Sequence, residues 1–179
     1  MRSDLRNLLL VHRPGDVREA GFVEAMLALL ETPGDPLSRG HFTPGHFTAS
    51  AFVLSPDGGA LLLVHHGKLH RWLQPGGHFE PDDESVFTAA RREVLEEVGI
   101  SDLELPHGET LFDVDVHDIP SLKGDPVHRH YDLRVLFRSR TLAAQAGSDA
   151  KDVRWVELDK VNLEESDESV MRAVRKLRG

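Results

Sequence analysis

The sequence predicts an α/β fold, and three observations carry that expectation. Short apolar runs of strand length recur from Thr48 onward, each bounded by Gly, Pro, Asp or Ser clusters. Between them lies one strongly patterned helix, running from the acids at Asp82–Glu84 to Gly99. Further helical patterning closes both ends of the chain, and strands interleaved with helices read as mixed α/β rather than all-β.

Leu5 to His12 and Asp16 to Glu31 have helical patterning. The second stretch carries Phe22, Met26, Leu29 and Leu30 ahead of the stop signal Thr32-Pro33-Gly34. A turn-rich segment follows, in which Gly40–Pro44 (GHFTP) and Gly45–Ala49 (GHFTA) echo each other over too short a span to make a structural repeat. This segment reads as a loop leading into a strand. Ala49–Leu54 and Ala60–His65 flank Ser55-Pro56-Asp57-Gly58-Gly59, a hairpin signal, and Trp72–Gln74 is a short extended approach to a glycine pair.

The central helix has Asp82 or Asp83 as its expected N-cap, with neighbouring acids suited to the helix dipole. Gly99 is its C′ residue, and Ile100 is the apolar contact beyond it. Leu111–His117 and Tyr131–Ser139 read as strands separated by a Pro/Gly/His-rich loop from Asp118 to His130. Val153–Glu157 is a further strand, and Glu168–Leu177 a closing helix. The expected organisation is an N-terminal helical extension, residues 1–45, before one domain, residues 46–179.

Composition bounds the function. The 179 residues are 40% hydrophobic and 28% charged, ordinary for a soluble globular chain able to bury one core. A net charge of −9 argues against a sequence-independent hold on long nucleic acid, which needs a basic surface. With no cysteine there is no disulfide, thiolate metal site or thiol nucleophile, which fits a reducing cytoplasm. Neither a signal-peptide pattern nor an apolar run of membrane-spanning length appears. The expectation is a soluble cytoplasmic protein.

Chemistry concentrates between Pro75 and Ile100. Glu93, Glu96 and Glu97 stand at i, i+3 and i+4. At about 100° per residue, Glu96 and Glu97 fall roughly 60° and 40° to either side of Glu93, on one helix face. Three like charges there either solvate or hold a cation, and hard oxygen donors favour Mg²⁺ or Mn²⁺ over zinc. Gly76 and Gly77 let the main chain come close to a ligand. The plainer alternative is an amphipathic surface helix, with Val86, Ala89 or Ala90, Val94 and Val98 on a core and the acids merely solvated.

Arg92-Glu93-Val94-Leu95-Glu96-Glu97-Val98-Gly99-Ile100, with Glu84 separated from Arg92 by seven residues, resembles the second half of the Nudix box. That box reads Gly, five residues, Glu, seven residues, Arg-Glu, aliphatic, any residue, Glu-Glu, any residue, Gly, aliphatic. Here Gly77 and Glu84 are separated by six residues instead of five.

The resemblance implies an α/β/α sandwich with a mixed sheet, and hydrolysis of a diphosphate linkage in a nucleoside diphosphate derivative or a nucleoside triphosphate. It implies Mg²⁺, or Mn²⁺, held by Glu93, Glu96 and Glu97 with the Gly76 carbonyl. Glu93 is the general base. Gly77, Glu84, Arg92 and Gly99 are structural, with Glu84 pairing to Arg92. Family members often take a further ligand or base from outside the box. Asp113, Asp115, His117, Asp118, His128 and His130 are candidates, although exposed residues on alternating strand faces explain them as well.

Lys68, Arg71 and His78 are candidate substrate contacts, and Trp72 either stacks on a base or fills the core. Residues 114–118, Val-Asp-Val-His-Asp, contain neither the proline of ADP-ribose hydrolases nor the tyrosine of dinucleoside polyphosphate hydrolases. Isopentenyl diphosphate isomerases share the fold but need a cysteine that this chain lacks. A non-catalytic nucleotide-sensing module is the alternative, marked by degraded box glutamates and an attached DNA-binding domain. Phe22, Met26 and Leu29 either pack on their own domain or form a homodimer face.

Overall fold

The structure, a computed structural model, describes residues 1–67, 69–121, 124–147 and 150–179. Two helices come first, α1 (Arg2–Val11) and α2 (Val17–Leu30). Then follow β1 (Gly45–Leu54), β2 (Ala60–His66), β3 (Arg71–Leu73) and β4 (Gly76–His78). Helix α3 (Val86–Val98) precedes β5 (Leu103–Glu104), β6 (Asp113–Ile119), β7 (His128–Ser139), β8 (Ala150–Glu157) and α4 (Glu168–Arg178).

The strands form one mixed sheet with the central order β3-β2-β1-β7-β5. It forks. The middle of β1 pairs with β4 while its end meets β2, β6 lies beside β7, and β8 lies beside β2. The β1–β7 pair is parallel over its whole length, from Gly45↔Arg129 to Leu54↔Arg138, and the other pairs are antiparallel. Every residue of β1 is buried, as a strand covered on both faces must be.

Alternation along β1 and β7 sorts the two faces. Phe47, Ala49, Ala51 and Val53, with Tyr131, Leu133, Val135 and Phe137, join Val86, Ala90, Val94 and Val98 of α3 in the main core. Leu5, Leu9, Met26 and Leu29 of the first two helices complete it. On the opposite face Phe52, Leu54, Leu61, Leu63 and Leu136 pack on Val170, Ala173 and Val174 of α4. The result is the expected α/β/α layering. Met26 and Leu29 are fully buried in their own chain, so they offer no dimer surface.

Several boundaries differ from expectation. Ser85, not Asp82 or Asp83, caps α3: its side chain accepts from Thr88 N, and the Thr88 hydroxyl accepts from Ser85 N in return. Asp83 is withdrawn from capping by a different partner, described below. Gly99 ends the helix in the left-handed conformation, φ 71°, as expected. The glycine pair is a strand rather than a free loop, and the His-rich segment after Asp118 is partly ladder, since His117↔His130, Asp118↔Arg129 and Ile119↔His128 are paired.

Candidate active site

Two local structures bring the box residues together. Antiparallel pairing sets Gly76 against Ser50, Gly77 against Ala49 and His78 against Thr48. The register leaves Gly77 facing α3. A Cβ on Gly77 would lie 2.6 Å from Oε1 of Glu93. The glycine is therefore required for close approach, and its backbone roofs the Glu93 carboxylate. At Gly76 a Cβ would collide with Ser50 and come within 2.8 Å of the Ala49 carbonyl, so this strand admits no side chain at either glycine.

Glu93 is buried, and burial pushes its carboxyl above the usual carboxylate range against the pull of Arg92. Glu96 is exposed and Glu97 half-buried on the same helix face. Arg92 organises the group. Its Nη1 donates to Glu93 Oε1 at 2.9 Å and Glu96 Oε2 at 3.3 Å, so the two carboxylates converge on one nitrogen. Its Nη2 donates to the His78 carbonyl at 2.8 Å. Hydrogen bonding to Asp83 is the main reason its guanidinium is held firmly charged.

The carboxylate opposite Arg92 is Asp83, which corrects the expected pairing with Glu84. Asp83 receives Arg92 Nη2 on Oδ2 at 2.8 Å and Nε on Oδ1 at 3.2 Å, and Oδ2 also accepts from Glu80 N at 2.8 Å. Glu84 is exposed. The helix begins at Val86, so Glu84 lies outside it and helical spacing from Arg92 does not set its position. Sequence spacing did hold the signal: Asp83 is separated from Gly77 by five residues, as the box requires. The extra residue lies after this acid and not before it.

The other expected residues scatter. Arg71 donates to the carbonyls of Ser166 and Leu163, and is spent on the segment before α4. Trp72 packs in the α4 core with the Arg154 guanidinium 3.9 Å from its ring centroid, as the core reading anticipated. Lys68 lies outside the described residues.

Asp113 and Asp115 are buried on the α4 face. Arg172 Nη2 reaches them at 2.7 and 3.0 Å, and the fully buried Arg134 binds Asp132 at 2.8 Å and Asp113 at 3.2 Å. Burial would raise Asp113, but Arg172, Arg134 and Lys176 outweigh it and hold the carboxyl down to about 2. His117 is exposed with Nδ1 3.2 Å from Asp115, and Asp118 pairs with Arg129 at the surface. His78 and His130 meet on this same α4 face. A third partner there, His46, was not anticipated, because in sequence it is one histidine in a turn-rich segment.

The class of protein is set by a forked mixed sheet between helices, with a glycine strand roofing a glutamate-bearing helix, and this is a Nudix-type fold. The family model described as NUDIX domain matches residues 44–176, and the chain belongs to that family. Similar solved structures include a NUDIX-family hydrolase from Clostridium perfringens, 24% identical, TM-score 0.55, covering 74% of this chain and 96% of that one. A Caenorhabditis elegans Ap4A hydrolase binary complex is 20% identical, TM-score 0.54, covering 74% and 94%. The NUDIX domain of Shewanella oneidensis NrtR complexed with ADP ribose is 19% identical, TM-score 0.53, covering 74% and 85%. No curated protein matches the chain.

Proposed function

We propose that this chain hydrolyses a diphosphate linkage in a nucleoside diphosphate derivative or nucleoside triphosphate, using a divalent ion at the α3 carboxylates. The observation that carries the reading is the Glu93 carboxylate, buried beneath Gly77 and sharing one guanidinium nitrogen with Glu96. A buried acid steered toward exposed acids on one face is a poor arrangement for stability alone.

The residues fit Mg²⁺ or Mn²⁺. Their donors are all oxygens, and the shared approach to Arg92 Nη1 places Glu93 and Glu96 within reach of one cation. Glu93, Glu96 and Glu97 would hold the ion, with the Gly76 carbonyl. When bound, the ion would supply positive charge to the phosphate oxygens and lower the pKa of water. Glu93 takes the proton from the attacking water, a role suited to a carboxyl raised by burial. Arg92 holds the Glu93 carboxylate in place, and Asp83 holds Arg92. Gly77 keeps the roof thin enough for both.

The helical extension, residues 1–45, is best taken as a scaffold for the domain at 46–179, since its apolar residues share the main core. No described helix is long and apolar enough to cross a membrane. A small substrate rather than a long nucleic acid suits the net charge of −9, and a reducing cytoplasm suits the absence of cysteine.

The test is a Mg²⁺-dependent hydrolysis screen of nucleoside triphosphates, nucleotide sugars, ADP-ribose and dinucleoside polyphosphates, with products identified by mass and Glu97→Gln run alongside. Cleavage by the wild type alone supports the reading. Silence across the panel, or equal cleavage by the variant, counts against it.

A further inference from the structure

On the sheet face opposite Glu93, we infer a second metal site in which His46, His78 and His130 bind one divalent transition-metal ion, with Zn²⁺ as its best-suited occupant. The three histidines come from three strands, and the ladder explains why they meet. His46 of β1 is the direct partner of His130 of β7, and His78 of β4 lies opposite Thr48, two residues along β1. All three then project from the α4 face of the sheet. One ring nitrogen from each lies within 4.8 Å of the others. Among the described residues, this is the group of three acidic or imidazole donors so gathered, and the box glutamates are not part of it.

The independent sign is an unsatisfied atom. His46 is 1% exposed, and its Nδ1 lies 3.2 Å from the His41 carbonyl, a contact that requires Nδ1 to carry the proton. Its Nε2 then presents a bare lone pair, and that buried atom has no hydrogen-bond partner. A buried acceptor without a partner is destabilising, and a ligand on that nitrogen would relieve it. A proton on one nitrogen donated to a backbone carbonyl, with the other nitrogen free, is how metal-bound histidines are oriented.

The surroundings favour the same occupant. The rings of His46 and His130 stand 4.8 Å apart, and those of His46 and His78, and of His78 and His130, 5.1 Å. Three neutral nitrogens without a carboxylate match Zn²⁺ and its neighbours and suit Mg²⁺ poorly. In a tetrahedral shell the nitrogens would stand about 3.4 Å apart, from a Zn–N distance near 2.05 Å, so modest side-chain rotation closes the site. The site also touches the box: the backbone carbonyl of His78 receives Arg92 Nη2, and Gly77 beside it roofs Glu93.

The experiment is a Zn²⁺ titration of the full chain by calorimetry in excess Mg²⁺, with His78→Ala, His130→Ala and Glu96→Gln in parallel. Each variant is first checked for folding by circular dichroism. Expected is one Zn²⁺ per chain, kept in Glu96→Gln and weakened by about tenfold or more in each histidine variant that folds. Co²⁺ substitution of the wild type gives a second readout that needs no variant, and a nitrogen-ligated tetrahedral visible spectrum is expected. Absence of stoichiometric Zn²⁺ binding, equal binding by the folded His78→Ala protein, or loss only in Glu96→Gln would overturn the inference. None of these readouts uses nucleotide hydrolysis, so the result stands apart from that of the substrate screen.

Discussion

Asp83 and Arg92 are joined by two parallel hydrogen bonds, Nη2 to Oδ2 at 2.8 Å and Nε to Oδ1 at 3.2 Å, across the turn that feeds the box helix. Because Arg92 also holds Glu93, Glu96 and the His78 carbonyl, this pair ties the glycine strand, the turn and the helix into one unit. Bidentate carboxylate–guanidinium pairs resist distortion better than single contacts.

Asp83→Asn is therefore expected to cost about 2 kcal/mol, the usual loss when a largely buried hydrogen bond to a charge is broken. Chemical unfolding measures it. Glu84→Gln, at an exposed position, should leave the midpoint unchanged, and a reversed ranking would restore Glu84 as the partner of Arg92.

Gly77→Ala puts a methyl 2.6 Å from Glu93 Oε1. The carboxylate must swing away, and a displacement near 1 Å at a reacting group costs about 10²-fold. The expected result is a loss of that order in kcat/KM with a near-wild-type melting temperature. Equal activity would mean that Glu93 does not work beneath Gly77.

Glu93→Gln removes the proposed proton acceptor but keeps its shape. Turnover should fall by about 10²–10⁴-fold, with the fold intact by circular dichroism. Neutralising a raised, buried carboxyl also relieves its desolvation, so stability at neutral pH should hold or rise. A variant both unstable and active would sink the assignment.

Acid should act through Asp113. Its carboxyl titrates at about 2 when folded against an ordinary 3.8, so the unfolded chain binds more protons between these values and stability rises with pH across that window. The contribution is complete above about 3.8 and is lost as pH falls through about 2. Urea midpoints from pH 2 to 6 should show this slope, and Asp113→Asn should reduce it, the lowered carboxyls of Asp115 and Glu19 supplying the rest, while lowering stability at neutral pH.

What could be read early is what depends on near neighbours. Strand positions, the closing helix and the Gly99 cap follow from periodicity and turn chemistry, and the observed elements begin or end within a few residues of the expected ones. The missed strands, β4 and β5, are three and two residues long and carry no alternation to detect.

Spacing along the chain is enough to place Glu93, Glu96 and Glu97 on one helix face, because a helix converts spacing into angle without outside help. The family, too, was legible in a local motif, Arg92–Ile100. Tertiary structure alone decided which acid meets Arg92, since both candidates precede the helix and the turn closed by Glu80 N and Asp83 chooses between them. It alone decided that His46, His78 and His130 converge, because the parallel register of β1 and β7 joins residues 84 positions apart, a distance that no local pattern encodes.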